Sequence, residues 1–591
     1  MFFNKIFPIR STNINTLSFF SSKEINHYIC TTFSAMKRSG NFIERIIDDD
    51  LKQDYSADVL RFRFPPEPNG YLHIGHVKAI CLNFNLGLRY KAPVNLRFDD
   101  TNPTKEEQQF VDAIKENIEW LGYKWDSECY ASDYFEQLFD WAVNLISQGK
   151  AYVDSQTSEK IAKQKGTPTK PGINSPFRER TIDQNKELFI QMKEGKFKEG
   201  EHVLRAKIDM SSANMLMRDP VIYRVLHRRH HRTKDKWCIY PMYDWTHGQS
   251  DYIEQVSHSL CSLEFKPHRD LYEWFLDSVC TKGRLRPKQR EFARMNLSYT
   301  VTSKRKLAEL IELKYVNGWD DPRMPTIAGL RRRGYTPTSL RNFVETAGVA
   351  KRDNVIDFSL LEHSIREDLN IKAPRVMGVL NPVKLTIINY PKNKTEILKG
   401  EINPEQPNLG YRDLIFSGSL YIEREDFKET ANRKYFRLTL GKEVRLKNAY
   451  IIKGESVIKD NKGNITEIIC SYDPESKSGS GTEASKRKVK GTLHWVTQKD
   501  SLPAKVNIYD RLFNVSSPDQ IQDKDFKSFI NQNSLKTLTG RVELGLIKAK
   551  PGDQFQFQRM GYFVLDKDST QGNLIFNKTV GLRDTWSKNN D

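Results

Sequence analysis

The feature of the sequence that most constrains the fold is one long helical pattern between two strand patterns near residue 60. Residues 59–64 (VLRFRF) alternate and are rich in branched and aromatic side chains, residues 72–90 are apolar at helical spacing, and residues 93–99 (PVNLRFD) resume a strand pattern. Prolines and a glycine between residues 65 and 70 end the first strand. This strand–helix–strand unit predicts a parallel sheet that binds ligands at its carboxyl edge.

The rest of the chain divides into regions of different pattern. A polar stretch, residues 151–237, interrupts the α/β pattern, and residues 238–243 (CIYPMY) then resume a strand pattern. Residues 305–372 are helical in periodicity, and from about residue 376 short alternating segments between turns predict β-barrels, for example residues 435–440 (YFRLTL). We predict an α/β fold: a Rossmann-type doubly wound domain split by an inserted domain, then a helical subdomain and C-terminal β-barrels.

The predicted domain boundaries follow these changes of pattern. They are residues 1–57 for an N-terminal extension, 58–133 and 238–304 for the two halves of the split domain, 134–237 for the insertion, 305–372 for the helical subdomain and 373–591 for the barrels.

Composition narrows the class of partner. The chain has 93 Lys and Arg against 75 Asp and Glu, a net charge of +18, which favours a polyanion such as nucleic acid. No two of the seven cysteines lie within four residues of each other, so neither a zinc ribbon nor a disulfide framework is indicated, and a reducing compartment fits best. No segment has the run of uncharged apolar residues that a membrane span needs.

The first 43 residues form a segment with one acidic residue, Glu24, among five basic ones and many Ser and Thr. This composition resembles a mitochondrial transit peptide, and a disordered tail is the alternative. Met36 offers an internal start that would give a cytosolic form. We therefore predict a cytoplasmic protein, with mitochondrial import through the extension as an open alternative.

The first motif with chemical content is the segment 67–76 (EPNGYLHIGH), between the first strand and the first turn of the helix. Unpaired backbone N–H groups and the helix dipole attract phosphate at such a position. His73 and His76 share one face and can donate hydrogen bonds to an α-phosphate in its transition state, while Gly75 lets a nucleotide approach the backbone. Taken alone, such a pair is more often two surface histidines beside a turn.

The second motif is the segment 301–307 (VTSKRKL), where the helical region begins. A loop that presents Ser303 and Lys304 can grip the β- and γ-phosphates and stabilise departing pyrophosphate. Alone, such a segment is more often a solvated basic patch or a localisation signal.

Together the two motifs, the insertion and the C-terminal regions resemble class I aminoacyl-tRNA synthetases. The resemblance runs from about residue 58 to 587 and is to the glutaminyl-tRNA synthetase family of the glutamyl/glutaminyl subgroup. It rests on RFPPEPNGYLHIGH, NLRFDDTNP, LRAKIDM, MRDPVIYR, KWCIYPMYDWTH, HSLCSLEF, GWDDPRMPTIAGLRRRGY, GKEVRLKNAYII and TVGLRDTW. It implies that the insertion binds the tRNA acceptor stem and that the barrels bind the anticodon.

The resemblance also implies an ATP site. The catalytic residues would be His73, His76 and Lys304, and the ATP site would be lined by Glu67, Pro68, Asn69, His73, Ile74, Gly75, His76, Val77, Lys78, Ala79, Ser262, Arg294, Met295, Thr302, Ser303 and Lys304. Thr302 stands where the family usually has an apolar residue. Mg²⁺ would accompany ATP, bound mainly through phosphate and water, and no structural metal is expected.

For the amino acid, the resemblance implies contacts with Asp99, Tyr243, Gln289, Cys261 and Arg63. Asp99 would meet the α-ammonium group, and the phenol and amide of Tyr243 and Gln289 suit a neutral carboxamide because they donate and accept. Glutamate-specific relatives tend to have an arginine where this chain has Cys261, so Cys261→Arg is expected to shift preference toward glutamate. A glutamyl-tRNA synthetase is the near alternative. A non-catalytic tRNA-binding paralogue, expected to lose the motif histidines or Lys304, is the distant one.

The remaining predictions concern RNA. The resemblance places anticodon reading on side chains able to stack on and hydrogen-bond single-stranded bases, namely Arg375, Arg437, Arg445, Lys447 and Gln556. His227, His230 and His231 imitate a metal site by spacing, but the arginines between them favour an RNA-facing basic surface. The expected partners are tRNA(Gln), L-glutamine and ATP and no membrane, with a monomer as the working expectation for the oligomeric state.

Overall fold

The computed structural model describes residues 40–53, 55–104 and 106–583, and the chain forms two compact units, Met1–Tyr55 and Ser56–Asp591. The described part of the first unit is helix α1 (Phe42–Gln53). Oδ1 of Asn41 accepts the N–H groups of Ile43 and Glu44 at 2.9 and 3.1 Å, which caps the helix. The C-terminal part of the predicted extension 1–57 thus contains a helix. The transit-peptide, disordered-tail and internal-start predictions concern residues that lie almost wholly outside the described part of the chain.

The second unit begins with the predicted strand–helix–strand pattern. Its first elements are β1 (Phe62–Phe64), α2 (Ile74–Tyr90), β2 (Val94–Phe98), α3 (Gln108–Trp120), β3 (Ser127–Tyr130) and α4 (Phe135–Ser147). The three strands are parallel and β2 lies in the middle, with Phe62 opposite Val94. The sequence prediction of a parallel unit here is confirmed.

A separate antiparallel sheet follows. Its elements are β4 (Ala151–Asp154), α5 (Ser158–Gln164), α6 (Ile182–Lys193), β5 (Val203–Ala206), β6 (Val221–Val225) and β7 (Ile239–Pro241), with strand order β4-β5-β6-β7. Residues 238–243 were expected to return to the parallel sheet, and that expectation is wrong because β7 pairs with β6. An apolar run predicts a strand but carries no information about its partner.

The chain then returns to the parallel sheet through α7 (Tyr243–Ile253), β8 (His258–Ser262), α8 (Arg269–Val279), β9 (Lys288–Phe292) and β10 (Met295–Leu297). β8 and β9 are parallel neighbours. The N–H of Ser257 donates to the carbonyl of Arg61 at 3.0 Å, so β8 starts beside the start of β1. The parallel pair β8–β9 therefore continues beside the three parallel strands β1–β3, from which it is separated in the chain by the inserted sheet. This arrangement confirms a Rossmann-type domain split by an insertion.

Helices dominate the next region, as predicted. They are α9 (Lys304–Glu312), α10 (Ile327–Arg333), α11 (Pro337–Ala347) and α12 (Phe358–Lys372), with the short strand β11 (Asn354–Ile356) before α12. β11 pairs in parallel with β10, which joins this region to the edge of the catalytic domain.

The C-terminal region consists of two seven-stranded, barrel-like sheets and a hairpin. The strands are β12 (Arg375–Val376), β13 (Gly378–Val379), β14 (Pro382–Ile387), β15 (Thr395–Glu401), β16 (Tyr411–Ser417), β17 (Ser419–Glu423), β18 (Glu443–Leu446), β19 (Ile451–Lys459), β20 (Ile465–Tyr472), β21 (Thr492–Leu493), β22 (Val496–Thr497), β23 (Ser501–Tyr509), β24 (Leu535–Glu543), β25 (Gln554–Phe557), β26 (Gly561–Leu565) and β27 (Leu574–Val580), with helix α13 (Glu483–Lys486) before β21.

One sheet has the order β21-β18-β19-β20-β14-β17-β22, the other β12-β25-β26-β27-β23-β24-β13, and β15 pairs with β16. The barrel prediction is confirmed. Residues 435–440, predicted as a strand, make only isolated bridges at Leu438 and Leu440. The division of the whole chain at the stated domain boundaries stays a prediction. Among the described residues, no helix is long and apolar enough to cross a membrane.

Candidate active site

The two motif histidines cap helix α2 together. Nδ1 of His73 accepts the N–H of Gly75, and Nδ1 of His76 accepts the N–H of His73, both at 3.1 Å. The ring centroids lie 4.0 Å apart. Because each Nδ1 is an acceptor, each Nε2 carries the ring proton, and within the described part of the chain neither Nε2 has a partner. The helix N-terminus thus offers two spare N–H donors, where a phosphate is favoured.

Both imidazoles are neutral at physiological pH. Burial, reinforced by the positive charges of Lys304 and Arg294, lowers the pKa of His73 to about 3. Burial, with the neighbouring His73 and Lys304, lowers the pKa of His76 well below its ordinary value. The pair can therefore stabilise negative charge through hydrogen bonds without carrying charge itself.

Lys304 lies over the same loop. It is the first residue of α9, its Nζ donates to Oδ1 of Asn69, and Nδ2 of Asn69 in turn donates to Glu67. Burial lowers the pKa of Lys304, against the opposing effect of Glu67. A Cβ at Gly70 would lie 3.3 Å from the Lys304 side chain, so glycine lets the lysine cross the loop closely.

Gly75 has a different reason for being glycine. A Cβ there would lie 2.9 Å from Cε1 of His73 and 3.8 Å from the carbonyl oxygen of Met295. The absence of a side chain therefore lets the His73 ring fold back onto the helix, and it brings the start of α2 against the start of β10.

Two of the predicted residues from the second half of the domain line a cavity of about 360 Å³. Arg294 and Thr302 line it together with Glu264. Glu264 accepts a hydrogen bond from Ser262 Oγ at 2.8 Å and forms an ion pair with Arg294 at 2.7 Å. Ser262 and Arg294 are thus joined through one carboxylate. Sequence reasoning missed Glu264 although it lies in the segment HSLCSLEF, two residues after Ser262.

The other predicted ATP-site residues differ in burial, and most of their side chains lie in the interior of the domain. The side chains of Ile74, Val77 and Met295 are in the core, and Pro68 is buried. Lys78 is buried and its Nζ donates to the carbonyl of Ala293 at 2.8 Å, so this lysine ties α2 to the end of β9 instead of presenting a free ammonium. Ala79 is half-buried one residue further along α2, and Ser303 is exposed beside Lys304.

The residues predicted to contact the amino acid belong to a buried network of charges. Asp251 on α7 pairs with Arg63 on β1 at 3.0 Å and with Arg97 on β2 at 2.7 Å, and all three side chains are 0% exposed. Burial alone would raise the pKa of Asp251, but the two guanidinium groups hold it below its ordinary value. Arg63 also donates to the Leu260 carbonyl and Ser259 Oγ, so it forms the frame of the site more than a free substrate contact.

Asp99 extends from this network. Its Oδ1 accepts the Nε–H of Arg97 at 2.8 Å, whereas its buried Oδ2 accepts no hydrogen bond from any described residue. Burial raises the pKa of Asp99 to about 6, against the lowering effect of Arg97. A buried carboxylate oxygen without a partner is costly unless a ligand supplies one, and an ammonium group would do so.

A chain of contacts runs along α7 to Cys261. The hydroxyl of Tyr243 lies 3.1 Å from Nδ1 of His247, and Nε2 of His247 lies 3.6 Å from Sγ of Cys261. Burial lowers the pKa of His247 to about 3 and raises those of Tyr243 and Cys261, so all three are neutral. Phe265 packs on the Tyr243 ring, with centroids 5.4 Å apart. Neutral groups of this kind suit an uncharged substrate side chain.

Gln289 is buried on β9. Its Nε2 donates to the Phe265 carbonyl at 3.0 Å and to Glu291 at 2.9 Å. Its buried Oε1 accepts nothing from the described residues, so it is available to an amide N–H of a ligand. The structure thus brings Arg63, Cys261 and Asp99 into one network and leaves free acceptors on Asp99 and Gln289.

Sequence reasoning missed Arg97, His247 and Asp251. The spacing of Tyr243, His247 and Asp251 at four-residue steps puts them on one face of a helix, which was a usable signal. Arg97 lay two residues before Asp99 on a predicted strand, and so on the same face of the sheet.

The predicted anticodon residues do not form one cluster. Arg375, Lys447 and Gln556 line a common cavity of about 250 Å³ in the barrel region. Arg445 instead donates to carbonyls of Ser476, Ser485 and Arg487, which organises that loop. Arg437 pairs with Asp426 at 2.6 Å. The anticodon role of each residue stays a prediction.

The histidines of the β6–β7 loop differ from their predicted arrangement. His227 is exposed, as an RNA-facing residue would be, but His230 is fully buried and contacts Asp100. The spacing of basic residues could not reveal that part of this loop faces the catalytic domain.

The comparisons with known proteins agree with this geometry. Three family models match: tRNA synthetases class I (E and Q), catalytic domain, over residues 59–371, and two anticodon-binding domains of the same class over residues 373–473 and 492–566. The catalytic model alone matches more than half of the chain. This chain is therefore a member of the class I tRNA synthetases of the E and Q type.

Curated relatives narrow the family. A glutamine–tRNA ligase of Rhodopirellula baltica is 54% identical over 93% of this chain and 91% of the relative, and one of Vibrio parahaemolyticus is 54% identical over 93% and 98%. The chain belongs to the glutamine–tRNA ligase family, which confirms the resemblance. This chain is also similar to the crystal structure of a glutamate tRNA ligase from Elizabethkingia meningosepticum. The match covers 54% of this chain and 70% of that ligase, at 18% sequence identity and a TM-score of 0.41.

Proposed function

We propose that this chain joins L-glutamine to tRNA(Gln) at the expense of ATP, through a glutaminyl-adenylate. The observation that carries the proposal is the arrangement of His73, His76 and Lys304 around one helix N-terminus, in a chain whose relatives are glutamine–tRNA ligases over almost their whole length. Retention of all three groups disfavours the non-catalytic alternative.

In the first step, the glutamine carboxylate attacks the α-phosphorus of ATP and pyrophosphate leaves. The two Nε2–H donors of His73 and His76 stabilise the charge that develops on the α-phosphate oxygens. Lys304 gives up its hydrogen bond to Asn69 and stabilises the negative charge of the departing pyrophosphate. Mg²⁺ enters with the triphosphate and is held mainly by phosphate and water. In the second step, the 2′-hydroxyl of the terminal adenosine attacks the glutaminyl carbonyl and AMP leaves.

Glutamine is recognised at the buried end of the site. The free Oδ2 of Asp99 receives the α-ammonium group, and the Oε1 of Gln289 accepts from the side-chain amide. Tyr243, held by His247, completes a neutral pocket. A γ-carboxylate would meet the acceptor Oε1 of Gln289 and no free guanidinium, because Arg63 is hydrogen-bonded to Asp251, Leu260 and Ser259. This disfavours glutamate as substrate.

The insertion and the barrels would bind the acceptor stem and the anticodon of the tRNA. The cavity shared by Arg375, Lys447 and Gln556 is the best candidate for an unstacked base, because it joins a cation to amide hydrogen-bonding groups. A cytoplasmic location and a monomeric state remain predictions, and no finding supports the mitochondrial alternative.

Aminoacylation of total tRNA tests the proposal. Labelled glutamine and labelled glutamate are supplied separately, each with and without ATP. We expect charging with glutamine only, and only with ATP. Charging with glutamate would contradict the pocket assignment. No charging with either amino acid would support the alternative of a non-catalytic tRNA-binding paralogue.

A further inference from the structure

The loop between β6 and β7 of the inserted sheet reaches the carboxyl end of β2. His230 is 0% exposed, packs edge-on against the ring of Phe135 at 5.7 Å, and its Nε2 lies 2.9 Å from the carbonyl oxygen of Asp100. Nε2 of the neighbouring His231 lies 3.0 Å from Oδ2 of Asp100. Both histidines therefore contact the residue that directly follows Asp99.

Asp100 is held from a second side as well. The N–H of Ser132 donates to its Oδ1 at 2.8 Å, and Oγ of Ser132 donates to its Oδ2 at 2.7 Å. Arg232, from the same loop as the histidines, donates to Oγ of Ser132 at 3.1 Å. Both carboxylate oxygens of Asp100 are thus engaged, so this buried residue belongs to the frame of the site.

The hydrogen bonds fix the tautomer of His230. Its Nδ1 accepts the N–H groups of Arg232 and Thr233, both at 3.2 Å, so its Nε2 carries the proton and donates to the Asp100 carbonyl. Ligand atoms of Asp100, His230 and His231 do lie within 4.8 Å of one another, as in a metal site. A protonated Nε2 has no lone pair for a cation, and the bonding pattern is that of a clamp made of hydrogen bonds.

Asp99 depends on its neighbours for its position. Its N–H donates to the Pro66 carbonyl at 3.1 Å, which fixes the backbone on one side, and the clamp on Asp100 fixes it on the other. We propose that His230 and His231 are positioning residues which, by immobilising Asp100, aim the free Oδ2 of Asp99 at the ammonium group of glutamine. This inference rests on the proposed role of Asp99, and it gives the inserted sheet a part in amino-acid binding.

The main test removes the two ring nitrogens of His230 and keeps an aromatic ring at that position. His230→Phe retains an aromatic side chain against Phe135 and loses both nitrogens, whereas His230→Gln keeps a donor nitrogen near the Nε2 position. We expect His230→Phe to raise KM for glutamine about tenfold, the size expected for one buried hydrogen bond, with kcat and KM for ATP and tRNA unchanged. His230→Gln should recover most of the loss.

The control is His202→Phe, which changes another buried histidine of the insertion that contacts Ser155 and not Asp100. It should leave KM for glutamine unchanged. His231→Phe tests the same clamp at a half-buried position should His230→Phe fail to fold, and it should raise KM for glutamine about threefold. Thermal unfolding of each variant separates loss of fold from loss of positioning.

A double-mutant cycle with Asp99→Asn decides whether the histidine acts through Asp99. We expect His230→Phe to change kcat/KM for glutamine less than about twofold in the Asp99→Asn background. Equal effects in both backgrounds would overturn the inference, as would a rise in KM for tRNA with KM for glutamine unchanged, or inactivation by a chelator and recovery with Zn²⁺. A normal KM for glutamine in Asp99→Asn alone would instead overturn the role of Asp99 itself.

Discussion

The two ends of the proposed site, one for phosphate and one for the amino acid, hold their polar groups in opposite ways. At the phosphate end, His73 and His76 are half-buried and neutral. Lys304, at the start of a helix, passes close to Gly70 and donates a hydrogen bond to Asn69. At the amino-acid end, Arg63, Arg97 and Asp251 are charged, fully buried and mutually paired. Phosphate brings large and changing charge, whereas glutamine presents one fixed ammonium and a neutral amide.

This difference follows from the cost of burying charge. A buried ion is tolerated only when its partner is fixed, so the amino-acid end is rigid by necessity. Uncharged N–H donors need no such partner, so they can stay unpaired until an anion binds. The comparison predicts that changes at the amino-acid end damage folding and glutamine binding, whereas changes at the phosphate end damage the rate.

The largest effect is expected at Asp251. Asp251→Asn removes the carboxylate that bridges Arg63 and Arg97. Arg97 keeps its ion pairs with Asp99 and Glu254, whereas the buried Arg63 loses the carboxylate with which it pairs. We expect a loss of about 3–5 kcal/mol in the free energy of unfolding, measured by denaturant titration. Asp277→Asn, which breaks an exposed pair with Arg286, should change it by less than about 0.5 kcal/mol. Similar losses in both variants would contradict the distinction between the two ends.

Lys304 gives the matching test at the phosphate end. Lys304→Met keeps the length of the side chain and removes its charge, so kcat should fall about 100- to 1,000-fold with KM for glutamine little changed. Lys306→Met, two residues further along α9, is the control and should retain normal kcat. Steady-state aminoacylation separates the two constants. A rise in KM for glutamine at constant kcat would place Lys304 with the binding groups instead.

The geometry at the phosphate end is easier to predict from the sequence than the geometry at the amino-acid end. The cap formed by His73 and His76 is local, since its hydrogen bonds join residues two and three positions apart, and the helix that follows has a clear period. The ion pairs of Asp251 join residues 188 and 154 positions apart, and such pairing depends on how strands and helices pack. Long-range partners leave no trace in local spacing.

The same limit explains the errors in the fold. The strand at 239–241 was recognisable from its apolar side chains, but its partner β6 was not. The basic loop before it was correctly read as polar, yet burial of His230 depends on Asp100, 130 residues away. Lys78 was expected among the residues that line the ATP site. It lies on the buried side of α2, where its Nζ donates to the Ala293 carbonyl, and its part in ATP binding stays a prediction.

The two ends should also differ in their response to pH. Burial raises the pKa of Asp99 to about 6, so below that pH the carboxyl becomes protonated and loses its attraction for ammonium. KM for glutamine should be flat above pH 7 and rise toward tenfold per unit below about pH 6. His73, with a pKa of about 3, stays neutral throughout, so KM for ATP should not follow the same profile. Parallel profiles for both substrates would contradict this.

The smallest effect concerns the choice between glutamine and glutamate. Cys261 is buried, with Sγ 3.7 Å from Nη2 of Arg63 and 3.6 Å from Nε2 of His247. Cys261→Arg would supply a cation for a γ-carboxylate, but it places a second guanidinium beside Arg63, and this repulsion offsets much of the gain.

We therefore expect the ratio of kcat/KM for glutamate to that for glutamine to rise only about fivefold, which corresponds to about 1 kcal/mol. Cys261→Ser, of similar size and without charge, should leave the ratio unchanged. An unchanged ratio in Cys261→Arg would remove Cys261 from the residues that discriminate the two amino acids. Selectivity would then rest on the free acceptor of Gln289 and on the neutral pair of Tyr243 and His247, since an acceptor oxygen welcomes an amide N–H and repels a carboxylate.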